Sequence, residues 1–133
     1  MRKIEHLGIA VKNIEESAKI YETLLGTSCY KIEEVVSENV KTAFYQIGES
    51  KIELLEATDE SSPIAKFIEK KGQGIHHIAF DVADIYAEIE RLKAEGFQLI
   101  NETPKNGADN KIIAFLHPKS TDGILVELCQ ERG

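Results

Sequence analysis

Several features that would place a protein in a specialised class are absent from this sequence. No run of apolar residues is long enough to span a membrane, and no signal-peptide pattern is recognisable, so we expect a cytoplasmic protein. Basic residues form no cluster and the net charge is −7, which argues against a nucleic acid or an anionic membrane surface as the partner. The chain has only two cysteines, Cys29 and Cys129, so we expect free, inert thiols rather than a disulfide framework.

The rest of the composition is typical of one globular domain. The chain has 133 residues, of which 42% are hydrophobic and 29% are charged, and this length allows a hydrophobic core without help from disulfides. We therefore expect a single domain over residues 1–133. A net negative charge still permits a phosphorylated small molecule as a ligand, because a few local lysines can bind its phosphates.

An apolar segment that contains a histidine occurs twice in the chain. Residues 4–10 read Ile-Glu-His-Leu-Gly-Ile-Ala and residues 74–80 read Gly-Ile-His-His-Ile-Ala-Phe, which places His6 and His77 71 positions apart. Further pairs at the same offset are Ile4 and Ile75, Val11 and Val82, and Ile14 and Ile85. A repeat of this kind predicts that the two halves are copies of one structural unit.

The pattern of each half predicts the order β-α-β-β-β, because an alternating segment is followed by an N-cap residue, a helical stripe and a closing glycine. The elements predicted for the first half are a strand over 4–11, a helix between Asn13 and Gly26, and strands over 29–36, 40–47 and 51–56. Those predicted for the second half are a strand from Ile75, a helix between Asp84 and Gly96, strands over 98–101, 111–116 and 124–129, and a polar loop over 103–110. The two modules span about residues 4–57 and 74–130, and a short helix over about 63–71 joins them.

One histidine and one glutamate of each half are predicted to share a face of the sheet. The first strand of each half has one apolar face for the helix to cover, and its histidine lies on the other face. Because side chains alternate along a strand, this parity selects His77, and not the adjacent His76, as the counterpart of His6. Glu53 and Glu127 hold equivalent positions on the last strand of each half.

Two imidazoles and two carboxylates suit a divalent transition metal such as Co²⁺, Zn²⁺, Ni²⁺, Mn²⁺ or Fe²⁺. The two glutamates would neutralise the charge of the ion, and two positions of an octahedral shell would remain open for water or substrate oxygens. A single strand histidine or glutamate is most often an ordinary core or surface residue, so the duplication of the pair is what favours a metal site. His117, which precedes Pro118 at a strand end, is expected to be structural or to lie next to a ligand.

These motifs resemble those of the vicinal oxygen chelate superfamily and, over nearly the whole chain, those of its methylmalonyl-CoA epimerase family. The segments that carry the resemblance are 4–13, 52–56, 59–65, 74–80, 115–119 and 123–128, with His-His at 76–77 and His-Pro-Lys at 117–119 as the more specific motifs. The fold that the resemblance implies is α+β, with two tandem βαβββ modules that form a cup-shaped, eight-stranded mixed sheet around the metal. It implies four metal ligands, which are His6, Glu53, His77 and Glu127. Many epimerases have Gln at the position of Glu53.

The reaction that the resemblance implies is the interconversion of (2R)- and (2S)-methylmalonyl-CoA by abstraction of the α-proton. A metal ion, expected to be Co²⁺ with Zn²⁺, Ni²⁺ or Mn²⁺ as alternatives, would stabilise the enolate as a Lewis acid. Epimerisation needs an acid or base on each face of the planar intermediate, and Glu127 is the candidate for one face. Some relatives place a second glutamate where this chain has Thr42. The candidates for the second base are Lys41, Glu38, Glu53 and an ordered water.

Two other functions remain open. A lactoylglutathione lyase of the glyoxalase I type would use the same metal and one strong base on a glutathione hemithioacetal, and Glu53 does not separate it from an epimerase. A non-catalytic member of the superfamily would use the cup to bind a small molecule. The resemblance also implies a homodimer, and the loop over 105–111 is expected to contact the acyl-CoA substrate.

Overall fold

The structure, a computed structural model, describes residues 1–132, and over these residues the chain forms eight strands and three α-helices. The strands are β1 (Lys3–Ala10), β2 (Lys31–Val35), β3 (Val40–Ile47), β4 (Ser50–Ala57), β5 (Gly74–Asp81), β6 (Lys105–Asn106), β7 (Lys111–Leu116) and β8 (Val126–Glu131). The helices are α1 (Ile14–Leu25), α2 (Pro63–Lys71) and α3 (Ile85–Ala94), and short 3-10 turns cover Val36–Glu38 and Pro118–Ser120.

The chain divides into two compact units. The first unit comprises residues 6–76, with the strand order β2-β3-β4-β1; the second comprises residues 1–5 and the described residues from His77 onward, with the order β5-β8-β7-β6. In each unit the first strand runs parallel to the last, β1 to β4 and β5 to β8, and the other neighbours are antiparallel. The prediction of an α+β fold, with βαβββ modules and eight strands of mixed direction, is confirmed.

The helices begin at the polar residues that the sequence predicts. The side-chain oxygen of Asn13 accepts the N–H of Glu16 at 2.9 Å, and that of Asp84 accepts the N–H of Ala87 at 3.1 Å, so each cap satisfies a donor that the first turn leaves open. Gly26 ends α1 in the left-handed conformation, with φ at 70°. Helix α3 stops at Ala94, two residues before the glycine that was predicted to end it.

The face of each sheet that its helix covers holds the main hydrophobic core of the unit. In the first unit Ile14 of α1 packs with Val11, Ala43, Tyr45 and Leu54. In the second unit the corresponding cluster comprises Val82, Ile85, Ile89, Leu92, Ala114, Leu116 and Leu128. Near the end of α1 Leu25 packs against the core of the first unit, whereas the adjacent Leu24 is 70% exposed.

The linker helix α2 packs on the other face of the first unit. Ser62 caps it by accepting the N–H of Ile64 at 3.1 Å, and Ile64 packs with Ala10, Val40 and Leu55. None of the helices in the described part of the chain combines the length and the apolar character that a membrane-spanning helix needs.

The prediction of a strand over residues 98–101 is wrong. Only Leu99 forms an isolated bridge there, to Leu116. The N–H groups of Ile100 and Asn101 both donate to the carbonyl of Phe115, at 2.8 and 3.3 Å, and the side chain of Asn101 accepts the N–H of Phe115 at 2.9 Å. The asparagine side chain therefore takes the place of a ladder partner. The strand next to β7 is the two-residue β6, inside the segment predicted as a loop.

Candidate functional site

The first unit contains a buried histidine–glutamate pair. Strands β1 and β4 are parallel neighbours in which Gly8 lies opposite Glu53, and His6 precedes Gly8 by two residues, so both side chains leave the sheet on one face. Nδ1 of His6 is 3.1 Å from Oε2 of Glu53, and the two residues are only 4% and 5% exposed. This face is the one opposite α1, because Ile9 and Val11 pack towards that helix.

The second unit contains the same pair. Ala79 of β5 lies opposite Glu127 of β8, and His77 precedes Ala79 by two residues. Nε2 of His77 is 3.2 Å from Oε1 of Glu127, and the two residues are 6% and 5% exposed. The structure thus brings together His6 with Glu53 and His77 with Glu127, one predicted pair in each unit.

Two further features repeat around these pairs, and sequence reasoning missed both. Phe44 lies directly opposite Glu53 on the neighbouring strand, and Phe115 lies directly opposite Glu127. The Phe115 ring stands edge-on to the His77 imidazole, with 5.9 Å between ring centroids. The two phenylalanines are 71 positions apart, as the histidines are, so the offset that relates the histidines could have identified them.

The second repeated feature is a side chain from the last strand at the start of each helix. Oε1 of Glu56 accepts the N–H of Ile14 at 2.7 Å, and Oε1 of Gln130 accepts the N–H of Ile85 at 2.7 Å. Each acceptor stands three residues after the glutamate of its pair. This contact ties the first turn of the helix to the strand that carries that glutamate.

The other two histidines have different surroundings. His76 is half-buried, and its ring packs edge-on against Phe67 of α2 with 5.0 Å between centroids. Nδ1 of His117 accepts the N–H of Lys119 at 3.1 Å, which fixes the 3-10 turn that follows β7. Each of these contacts ties a histidine ring to a neighbouring element, His76 to α2 and His117 to the turn after β7.

The cysteines have the surroundings expected of unreactive thiols. Cys129 is fully buried and donates to the carbonyl of Phe80 at 3.5 Å. Burial raises the pKa of its thiol well above the usual range, and the negative charge of Glu127 adds to this effect. Sγ of Cys29 lies 3.0 Å from the carbonyl of Lys31.

One of the candidates for a second base lies on the wrong face. Along β3 the side chains alternate, and Lys41 shares the α1-covered face with Ala43 and Tyr45. Thr42, buried at 2% exposure, shares the face of Glu53, because Phe44 lies opposite Glu53 in the register. Lys41 is therefore excluded as a base on the pair's face.

The donor atoms of each pair have a spacing that fits a divalent ion. Two ligands bound at right angles, each about 2.1 Å from an ion, lie about 3 Å apart, and the observed nitrogen–oxygen distances are 3.1 and 3.2 Å. Each pair contributes one imidazole and one carboxylate, the ligand types that such ions prefer. His6, His77 and Glu127 each offer a buried ligand atom to a metal.

Comparison with known proteins adds independent information. The model of the glyoxalase/bleomycin resistance protein/dioxygenase superfamily matches residues 5–115. The chain is 41% identical to the ethylmalonyl-CoA/methylmalonyl-CoA epimerase of Cereibacter sphaeroides, over 96% of this chain and 97% of the relative. It is 34% identical to the crystal structure of methylmalonyl-CoA epimerase from Mycobacterium tuberculosis, with a TM-score of 0.93, covering 98% of this chain and 88% of the other. A structure of methylmalonyl-CoA epimerase with methylmalonyl-CoA and NH₄⁺ has a TM-score of 0.95 and 32% identity, covering 100% and 96% of the two chains.

Proposed function

The chain belongs to the glyoxalase/bleomycin resistance protein/dioxygenase superfamily, and from that premise we propose that it interconverts (2R)- and (2S)-methylmalonyl-CoA. The observation that carries this proposal is the near-complete overlap, at 41% identity, with a relative named for this activity. A shorter or partial match would support only the fold, because one fold hosts many reactions. The acyl-CoA thioester is the proposed substrate class.

We propose that His6, Glu53, His77 and Glu127 together hold one divalent ion. The spacing of the donor atoms within each pair supports this, as does the repetition of the pair. When bound, such an ion supplies a Lewis acid that lowers the energy of negative charge on the oxygens of the substrate. Because all four side chains are buried, bulk water screens charge at the site less than it would at the surface, so the electrostatic contribution is larger.

Glu127 is the proposed base for one face of the α-carbon. Its Oε1 lies 3.2 Å from Nε2 of His77, and its carboxylate is the group that we expect to accept the α-proton. Because proton return must come from the opposite face to invert the carbon, a second acid is needed. With Lys41 on the other side of the sheet, the remaining candidates are Glu38, Glu53 and an ordered water.

Three further points belong to the same proposal. Cobalt is the proposed native ion, with zinc, nickel and manganese as alternatives, since all accept imidazole and carboxylate ligands. A homodimer is proposed by resemblance to the family, and a cytoplasmic location from the free thiols of the two cysteines.

The decisive experiment follows the α-proton directly. Metal-loaded protein is incubated with (2R)- or with (2S)-methylmalonyl-CoA in deuterated water, and deuterium at the α-carbon is measured by mass spectrometry. We expect exchange and inversion with both epimers, loss of both after chelation of the metal, and recovery on addition of Co²⁺. Methylglyoxal with glutathione serves as the competing substrate.

The outcomes separate the three candidate functions. Exchange with the thioester and no turnover of the hemithioacetal supports the epimerase. Turnover of the hemithioacetal alone would replace it by a glyoxalase I-type lyase. Binding of methylmalonyl-CoA with neither reaction would leave a non-catalytic binding protein.

A further inference from the structure

A cleft of about 410 Å³ lies in the first unit, between α1 and the strands β2 and β3. It is on the face opposite the His6–Glu53 pair, so it is separate from the proposed metal ligands. Its apolar wall includes Ile14, Ala18, Ile32 and Ala43. The volume is within the range of small-molecule sites, which are mostly apolar with a few placed polar groups.

At two positions that line the cleft, the second unit has isoleucine where the first has alanine or lysine. Ala18 of α1 corresponds to Ile89 of α3 at the 71-residue offset, and Ile89 is buried in the core at 1% exposure. Lys41 lies opposite Glu56, and Ile112 lies opposite Gln130, in matching registers, and Ile112 packs against the core. Small and charged residues therefore line the cleft where the duplicate has a filled core.

A carboxylate lines one end of the cleft. Oε2 of Glu22 accepts the hydroxyl of Tyr45 at 3.4 Å and the N–H of Cys29 at 3.5 Å. Both hydrogen bonds are long, and a carboxylate has about four acceptor positions, so Glu22 can accept from a ligand as well. Burial raises the pKa of Tyr45 to about 12, and the negative charge of Glu22 adds to this effect, so the phenol stays a donor to Glu22 even at alkaline pH.

The charges around the cleft favour a cation at this end. Glu15 and Glu22 line the cleft together with Lys19 and Lys41. Lys41 lies directly opposite Glu34 and Glu56 on the neighbouring strands, so these carboxylates offset its charge at the end of the cleft away from Tyr45, whereas Glu22 lies at the Tyr45 end. We propose that the cleft binds a small organic amine, with its ammonium group on Glu22 and its apolar body against Ala18 and Ala43.

The test uses hexylamine as the probe, with 1-hexanol and hexanoate as matched molecules that lack the positive charge. Amide shifts of the labelled full chain are followed during each titration. We expect hexylamine to shift amides of α1 and β3 and to bind about tenfold more tightly than 1-hexanol, because its ammonium group is a charged donor to the Glu22 carboxylate, whereas the alcohol is a neutral one. Hexanoate is expected to bind more weakly still.

Three variants separate the cleft from general attraction to an acidic protein. Glu22→Gln should weaken hexylamine binding about tenfold and 1-hexanol binding much less, because only the amine loses an ionic partner. Glu16→Gln removes the same charge from the exposed first turn of α1 and should change neither. Ala18→Ile, which introduces the residue of the second unit, should abolish binding of both molecules.

Several outcomes would overturn the proposal. Equal binding of 1-hexanol and hexylamine would remove the role of Glu22, as would unchanged binding by the Glu22→Gln variant. Absence of amide shifts in α1 and β3 would mean that no amine occupies the cleft. Shifts that appear only when a self-associated protein is diluted would mean that a second copy of the chain covers the cleft. Loss of methylmalonyl-CoA turnover would bear on the metal site and leave this inference untouched.

Discussion

The two units have the same chemistry on one face of their sheets and different packing on the other. Each has a buried histidine–glutamate pair with donor atoms 3.1 or 3.2 Å apart, and a phenylalanine opposite the glutamate. On the helix-covered face the second unit has Ile89 and Leu116 where the first has Ala18 and Tyr45.

This difference shows which part of the repeat is restricted by geometry. A ligand pair depends on two side chains leaving adjacent parallel strands on the same face, and a change of register would move one of them to the other side. A helix–sheet contact depends only on filling volume, and different residue combinations do so at small cost. The pair can therefore be recognised in the sequence, whereas the core packing differs between the halves.

The largest expected effect tests whether the two glutamates are equivalent. Glu127→Gln should lower kcat for epimerisation about 10³-fold, because the amide cannot accept a proton and general base catalysis contributes about 10²–10⁴. Glu53→Gln should lower it less than about tenfold, since an amide oxygen can still bind an ion, and this result would remove Glu53 from the candidates for the second base. Steady-state assays with one epimer measure both.

Metal content of the two variants is the control. Both proteins should retain at least part of the bound metal, so a loss of activity that follows metal loss would be a ligand effect. Retained activity in Glu127→Gln would remove this residue from the base role, and equal losses in both variants would mean that the two glutamates act as a unit.

The next prediction concerns the adjacent histidines. His77→Ala should weaken metal binding by about 100-fold or more, because it removes a proposed direct ligand, and even residues that only support a ligand contribute about 10–100-fold to metal affinity. His76→Ala should leave metal affinity within about threefold, because that ring packs on Phe67. Metal analysis after dialysis against a graded chelator compares the two. Similar losses of metal affinity in the two variants would show that His77 was wrongly chosen over His76 as the histidine on the metal-binding face.

The fold could be predicted well where local rules act alone. Alternation in β1 and β5 and the caps Asn13 and Asp84 depend on neighbouring residues, and the structure has them as expected. The 71-residue offset then related the two histidines. These features need no knowledge of distant contacts.

The sequence could not predict features that depend on partners far along the chain. The segment after α3 has a strand-like composition, yet Asn101 bonds to Phe115 and replaces the ladder. The cleft was also missed, because Ala18 fits the helical stripe of α1 as well as any apolar residue does. Whether the space beside it is filled depends on Lys41 and Tyr45, which lie on another strand.

The two packings can be compared by truncation. Ile89→Ala should lower the free energy of unfolding by about 2–4 kcal/mol, because Ile89 is 1% exposed in a filled core. Ala18→Ile, the reciprocal change, should alter it by less than about 1 kcal/mol, because the cleft has room for the added atoms. Urea unfolding measures both variants. A large loss in Ala18→Ile would mean that the cleft closes in solution.

The smallest effect is a dependence of stability on alkaline pH to which Tyr45 of the first unit contributes and its counterpart Leu116 does not. Burial raises the pKa of Tyr45 from 10.0 to about 12, so the folded state holds the phenolic proton more tightly than the unfolded state does. The stabilisation that this provides is complete below pH 10 and is lost as the pH rises from 10 to 12.

Tyr45→Phe should therefore flatten the fall in unfolding free energy between pH 9.5 and 11.5, whereas changes at Leu116, the equivalent residue, should not alter this slope. The burial of Cys129 contributes a fall of its own, which both proteins share, so the difference between their urea-unfolding curves isolates the tyrosine. Identical slopes would mean that Tyr45 ionises as freely in the folded chain as in the unfolded one.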